Sequence, residues 1–328
     1  MLTYLLKRLG YMVVTVVLIT AISFFLIQLP PGDFLSSYLL QLQQTGAQIN
    51  DQLIQSLRTQ YGLDKPMVQQ YFIWIRNIVT RGDFGRSFGW QRPVNEIIWG
   101  RIGITVAIGL ATLFFVYLVA IPIGIYSALR KYSVGDFLFT SFGYIGLAIP
   151  GFVLALAVLY GFHLLGYNAS GLNSSEYLNQ PMSWAKLLDT LKHVWIAIVV
   201  LGVSGIASLS RVMRGMLLDE LGKQYVTTAR AKGLSEARLV FKYPVRLALN
   251  PIVATIGWSL AGIISGAPIV EAVLNLPTTG SVLLRALQSQ DMYLAGAFIL
   301  LLSVLTVVGT FLSDILLAVF DPRIRLEK

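Results

Sequence analysis

The stretch Ser210–Pro251, SRVMRGMLLDELGKQYVTTARAKGLSEARLVFKYPVRLALNP, decides how this chain is read. It carries eight Lys or Arg against three acids and lies between two long apolar runs. Asp219 and Glu220 suit a helix start, and the spacing predicts a helix running through Tyr225–Lys232. Gly233 is placed to end that helix, where a left-handed backbone favours glycine. Ser235 then reads as an N-cap, with Glu236 favourable to the dipole in the first turn. A second short helix reaches Tyr243 and is stopped by Pro244. The expectation is a helix–glycine–helix, with small Ala229 and Ala231 near the bend permitting close approach by another protein. A basic amphipathic hairpin resting on anionic lipid is the other reading of the same residues.

Outward from this segment the composition is that of a membrane. Of 328 residues, 55% are hydrophobic and only 12% charged, and the mean hydropathy is +0.70. A soluble domain would carry about a quarter charged residues. Six runs are long enough for a hydrocarbon core, which takes about 20 apolar residues: Leu9–Leu29, Ile102–Tyr126, Phe137–Leu165, Val194–Leu209, Ile252–Val273 and Tyr293–Phe320. The first has too long an apolar core for a secretory signal, and Pro30-Pro31-Gly32 offers no small-residue cleavage site, so it reads as a retained span. The fold class is therefore all-α integral membrane, divided as 1–29 (N-terminal end and first helix), 30–101 (an extracytoplasmic helical insertion) and 102–328 (a five-helix core containing loop 211–250).

Lys and Arg near span ends set the orientation. With the N-terminus inside, pieces 1–8, 127–136, 211–250 and 321–328 carry fifteen basic residues against six acidic. Both termini are therefore expected in the cytoplasm. The net charge of +9 is then almost wholly an inside charge suited to anionic lipid, and is no argument for nucleic acid.

Within the insertion, Ile49, Leu53, Leu57 and Tyr61 recur at helical spacing. Pro66 can open a second helix, and Gly82–Gly89 reads as a tight turn. A short helix is expected around Trp184–Leu191, and the short fourth run, flanked by Trp184, His193 and Trp195, is expected to extend into the basic segment. Gly262 with Gly266, and Ser204 with Ser208, have the small-xxx-small spacing of packed transmembrane helices. The hydroxyls of Ser204, Ser208, Ser259 and Ser265 are also candidates to line a solute pathway, because they contact a hydrated solute without burying charge. Pro150-Gly151 and Pro268 fall inside spans and free backbone carbonyls there, which marks either bends near a cavity or tolerated kinks.

Several chemistries are missing. No GxxxxGK[ST] loop is present to hold ATP phosphates. His163 and His193 lack clustered carboxylates, so no metal site is expected, and there is no cysteine for a disulfide or thiolate ligand. The spans hold chiefly Glu271 and Asp314, near the ends rather than the midplane where ion-coupled carriers place carboxylates. Asp314 is expected to pair with Arg211 or Arg214.

The segment Tyr225–Leu234, YVTTARAKGL, resembles the EAA loop of ABC-importer permeases, and more narrowly the first permease of the dipeptide/oligopeptide/nickel family. Leu5–Arg8, Tyr61–Pro66, the Gly82–Phe88 turn, Val270–Pro277 and Asp321–Arg325 fit the same family in the same order, so the resemblance spans nearly the whole chain. Thr227 and Thr228 stand where the general motif has Glu and Ala, Ser36–Asn50 is longer than in the plainest peptide permeases, and Thr278-Thr279 replaces a smaller turn. The resemblance implies the type I ABC importer permease fold with six transmembrane helices, pairing with a second, homologous permease. It implies two cytoplasmic ABC ATPases docked beneath and an extracytoplasmic substrate-binding protein that delivers cargo. ATP and Mg would sit on the ATPases, with no cofactor and no enzymatic activity on this chain. Thr228, Ala229, Gly233, Leu234 and Glu236 would dock the ATPase. Di- or oligopeptide is the leading cargo, with oligosaccharide and nickel as alternatives. Rival classes are a stand-alone ion-coupled secondary carrier and a membrane scaffold that recruits a soluble partner.

Overall fold

The computed structural model describes residues 2–28, 54, 55, 59, 64–87, 89–178, 180–256, 259, 262 and 267–320. Among them there is no β-strand, only an isolated bridge between Arg86 and Pro93. In chain order the helices are α1 (Leu2–Gln28), α2 (Met67–Arg81), α3 (Val94–Leu129), α4 (Val134–Ala148), α5 (Gly151–Leu164), α6 (Trp184–Leu221), α7 (Gln224–Ala231), α8 (Glu236–Lys242), α9 (Pro244–Ala254), α10 (Pro268–Val273), α11 (Thr279–Gln288) and α12 (Met292–Phe320). Three are long and apolar enough to cross a membrane: α3, α6 and the Met292–Phe311 part of α12. The expected helix through Ile49, Leu53, Leu57 and Tyr61, the ending Asp321–Arg325, and Phe88, Ser265 and Gly266 lie outside the described residues.

Three sequence expectations change or sharpen. The run Phe137–Leu165 is not one straight helix: α4 and α5 meet at a 103° bend. Pro150 lacks an N–H and crowds the residue before it, so Ile149 turns extended (φ −85°, ψ 121°) and a new helix starts at Gly151. The short helix at Trp184–Leu191 and the span Val194–Leu209 are one helix, α6, of 38 residues. At 1.5 Å per residue it is roughly 57 Å long, well beyond a hydrocarbon core. Consequently Asp219 and Glu220 do not open a helix; they lie in its last turn. Leu217, Leu218 and Leu221 keep the apolar stripe running, and α7 begins only after Gly222-Lys223. The fifth run, Ile252–Val273, begins in α9 and ends in α10, with several residues between them outside those described.

The chain divides into two compact units. The first comprises Met1–Thr105 and Pro277–Val307. In it, Tyr71 and Trp74 of α2 pack on α1, where the Trp74 ring stacks on Phe24 at 5.5 Å and the Tyr71 hydroxyl meets Thr20 Oγ1 at 3.0 Å. Gly82 ends α2 in the left-handed conformation (φ 63°). The turn that follows is held by fully buried Asp291, which accepts from Ser87 Oγ at 2.5 Å and from the Gly89 N–H at 3.1 Å. The other oxygen of Asp291 accepts from the Leu294 N–H and so caps α12.

The second unit comprises Val106–Leu276 and Val308–Lys328 and has two apolar cores. One joins Ile196, Ala197 and Val200 of α6 to Ala155 of α5 and to Leu274 and Leu276. Helices α3 and α6 meet through glycines: a Cβ built on Gly124 would lie 2.6 Å from Met213 Cβ and 2.7 Å from the Ser210 carbonyl oxygen. The second core lies beneath the basic segment.

Candidate functional site

The basic segment folds as two short helices joined by a tight bend. Gly233 adopts φ +79°, donates to the Arg230 carbonyl at 3.0 Å, and Leu234 N–H reaches back to Ala229. Those two bonds satisfy the last carbonyls of α7 in the pattern of a left-handed C-terminal cap. Ser235 holds the N-cap position of α8 but makes no side-chain cap bond. Glu236, beside it, instead forms a two-point pair with Arg230 across the bend, with Nη2 to Oε2 at 3.1 Å. That pair is exposed on both sides, so solvent screens it and it orients more than it stabilises. At the entry to α7, Glu220 accepts from Lys223 and from the Tyr225 hydroxyl at 2.7 Å. Burial works against ionised Glu220, yet these two partners hold its carboxyl below the usual range. Burial and the Glu220 carboxylate together push the Tyr225 hydroxyl well up.

The underside of this hairpin is a core. Val226 of α7 and Leu239 of α8 are fully buried against Met213 and Leu217 of α6 and Val245, Ala248 and Ile252 of α9, with Ala128 from the end of α3. Removing one such side chain from water stabilises the docked hairpin by about 1.5–3 kcal/mol. Pro244 is the first residue of α9, where its missing N–H costs nothing, so α8 turns directly into α9. The hairpin is therefore packed against α3, α6 and α9 through one core.

Beside this core the hairpin is open. A groove of about 520 Å³ is lined by Thr228, Ala229, Lys232 and Leu234 of the hairpin, with Tyr225, Tyr243 and Leu247 at its margins. Of the expected docking residues, Thr228, Ala229 and Leu234 thus face one groove. Gly233 shapes the bend, and Glu236 braces it. The aromatic margins and Leu247 went unsingled in the sequence, because Tyr243 and Leu247 read only as a helix end and a helix start.

A second groove of about 460 Å³ lies within the same unit, between α3, α6 and the residues after α9. Ser204 and Ser208 on α6 and Ser259 line it together, as does Gly262. A Cβ on Gly262 would meet nothing within 4 Å, Ser204 and Ser208 are exposed, and Gly266 lies outside the described residues. Gly202 and Gly205 mark a helix contact, lying 3.2 Å from Phe115 and Val116 of α3 when given a Cβ. Leu201, Ser204, Gly205, Ser208, Leu209 and Val212 form one stripe of α6. Tyr117 and Thr255 add two further hydroxyls that sequence reasoning missed. Helix α3 is apolar all round, so no periodicity distinguished the face that carries Tyr117.

The side chain of Asp314, expected to pair with Arg211 or Arg214, lies outside the described ones. Among the described side chains Arg214 pairs with Asp136. It forms two bonds of 2.9 Å to Asp136, which lies just outside the expected span Phe137–Leu165. Arg211 sits 5.4 Å above the Tyr144 ring. Hydrogen bonds from Arg214 hold the Asp136 carboxyl below the usual range, against the opposing effect of burial. Among the described residues no group of three His, Cys, Asp or Glu could hold a metal ion.

Comparisons with known proteins point one way. A family model described as "Binding-protein-dependent transport system inner membrane component" matches residues 120–326. Its N-terminal companion, "Binding-prot-dependent transport system membrane comp, N-term", matches residues 1–109. The oligopeptide transport system permease protein AppB of Bacillus subtilis is 32% identical over 99% of this chain and 99% of its own. The dipeptide transport system permease protein DppB of Escherichia coli K12 is 30% identical over the whole of both chains. The oligopeptide transport system permease protein OppB of Haemophilus influenzae is 29% identical over 99% of this chain and all of its own. A solved inward-facing MetNI methionine ABC transporter superposes with a TM-score of 0.49 at 17% identity, over 66% of this chain and 93% of that one, too weakly to carry an argument.

Proposed function

This chain belongs to the family of binding-protein-dependent transport system inner membrane components, and from that premise we propose that it is the permease subunit of an ATP-driven peptide importer. The relatives that match it end to end are named for dipeptide or oligopeptide transport, which supports peptide as cargo. In this reading six helices cross the cytoplasmic membrane with both termini inside. A second, similar permease completes the pathway, two ATPases dock from the cytoplasm, and a binding protein delivers cargo from outside. ATP and Mg belong to the ATPases, and this chain carries neither. Thr228, Ala229 and Leu234 receive the ATPase, Gly233 sets the angle of the bend, and Glu236 braces it. Ser204, Ser208 and Ser259 face the solute, together with Ser265.

The observation that carries this reading is that an open, partly apolar groove adjoins the core that joins the hairpin to three helices, with Tyr225, Ala229 and Leu234 belonging to both. An ATPase element seated in that groove has differential contacts in its open and closed states. A conformational change driven by a partner requires such a difference.

Gly233→Val tests it in the assembled transporter. Valine resists the left-handed backbone, so the bend opens while the rest of the hairpin core keeps its packing. ATP hydrolysis should continue while peptide uptake falls at least tenfold, with membrane levels of the chain unchanged. Uptake at the native rate would refute the coupling role. Purification in mild detergent should also recover a second permease and two ATPases; a lone chain transporting on an ion gradient would overturn the assignment.

A further inference from the structure

Tyr117 belongs to two places at once. Its ring lines the α3–α6 groove and also packs against the hairpin core, and Leu209 of α6 is the other side chain common to both. Its hydroxyl points to the C-terminal end of α9, lying 3.4 Å from the Ile252 carbonyl oxygen, 3.4 Å from Thr255 Oγ1 and 3.5 Å from Ser259 Oγ. Ile252 is itself a buried member of the hairpin core, and Thr255 and Ser259 face the groove. The three groups therefore sit where the element packed with the hairpin becomes the wall of the groove.

Proton accounting shows how this contact works. Thr255 Oγ1 donates its one proton to the Ile252 carbonyl at 2.9 Å, so towards Tyr117 it can only accept. Tyr117 has one proton for two acceptors, and Ser259 can donate to it. All three distances exceed the usual O–H···O separation by roughly 0.7 Å. The hydroxyl is thus shared and held under none of its best geometries. A shift of α9 by a fraction of an ångström towards α3 tightens the set, and an equal shift away dissolves it. The surrounding backbone can yield: Pro122 in α3 and Pro251 in α9 lack N–H groups, which leaves the carbonyls of Leu118 and Leu247 without their helical donors.

We propose that Tyr117 is the positioning residue that ties the end of α9 to the groove wall, so that displacement of the hairpin changes the groove through the Tyr117–Ile252–Thr255–Ser259 contact. The inference rests on the permease reading above and adds to it the internal linkage. Tyr117 needs no contact with solute for this role, and its ring alone does not perform it.

The test uses the absence of cysteine in this chain. Ser204→Cys places a unique thiol in the groove of the full transporter reconstituted in liposomes, and its labelling by a maleimide is compared with and without ATP held by vanadate. With native Tyr117, labelling should change strongly on ATP trapping. Tyr117→Phe keeps the ring and removes the hydroxyl; it should cut that ATP-dependent change at least twofold, a smaller effect than the roughly fivefold of an ordinary hydrogen bond because the contacts are long, while ATP hydrolysis stays within twofold. Thr255→Val removes one of the three partners and leaves Tyr117 its contacts to Ile252 and Ser259, so it should reduce the change less than Tyr117→Phe does. The double variant should be no worse than Tyr117→Phe alone, because the hydroxyl carries the whole contact. An undiminished ATP response in Tyr117→Phe, or effects of the two substitutions that simply add, would overturn the inference while leaving the permease reading intact. Absence of any ATP response with native Tyr117 would overturn that reading and the inference with it.

Discussion

Gly124, Gly233 and Gly262 are glycines under three different constraints. At Gly124 the constraint is space: α6 approaches so closely that a methyl group would collide with the Ser210 carbonyl, a backbone atom that cannot swing away. Gly124→Ala should therefore push α3 from α6 and cost about 1–3 kcal/mol, the usual price of overpacking. At Gly262 there is open space, so Gly262→Ala serves as the matched control and should shift the thermal midpoint in detergent little. Equal midpoints for the two variants would contradict the close approach. At Gly233 the constraint is conformation alone, since nothing lies within 4 Å. A β-carbon in the left-handed region costs about 1–2 kcal/mol, and Asn, which tolerates that region, should retain more coupling than Val.

At the level of elements, α4 is fastened to α6 by the Asp136–Arg214 pair. Ser133 accepts from the Asp136 N–H at 3.2 Å and caps the same helix end. The pair is shielded, with the Arg214 side chain 26% exposed and that of Asp136 5%. Asp136→Asn leaves Arg214 without its anion and should cost about 1–3 kcal/mol, between the values for exposed and buried pairs. The sign of the pH dependence follows from the lowered carboxyl. Its stabilisation is complete above the ordinary aspartate value of about 3.9 and is lost as pH falls through the lower folded value. Thermal midpoints of the native chain and Asp136→Asn in detergent should differ at neutral pH and converge in acid. Parallel curves down to pH 3 would exclude a role for this ionisation. The cap at Ser133 was readable locally, yet its companion 78 residues away was not, because nothing in the spacing of Asp136 and Arg214 announces their meeting.

For the molecule as a whole, the hairpin and the groove are separable in their partners. Thr228→Trp fills the groove of the hairpin from an exposed position that is not part of the core beneath it. It should abolish co-purification of the ATPases while the second permease still co-purifies. Retention of both partners would remove the hairpin groove from the docking surface.

Sequence by itself determined that this is an all-helical membrane protein, because apolar runs of spanning length and a shortage of charge admit no soluble core. It also determined the bend at Gly233, since helix ends are governed by local backbone chemistry. Sequence also marked Pro150 as a bend or a kink and the fourth run as extending into the basic segment. Only the tertiary structure decided that the bend is 103°, that Asp219 and Glu220 close α6 instead of opening a helix, and that the packing glycines are Gly124, Gly202 and Gly205. In lipid-facing helices almost every side chain is apolar. Burial and exposure then leave no mark on composition, and the face that meets a neighbour is known only from the neighbour.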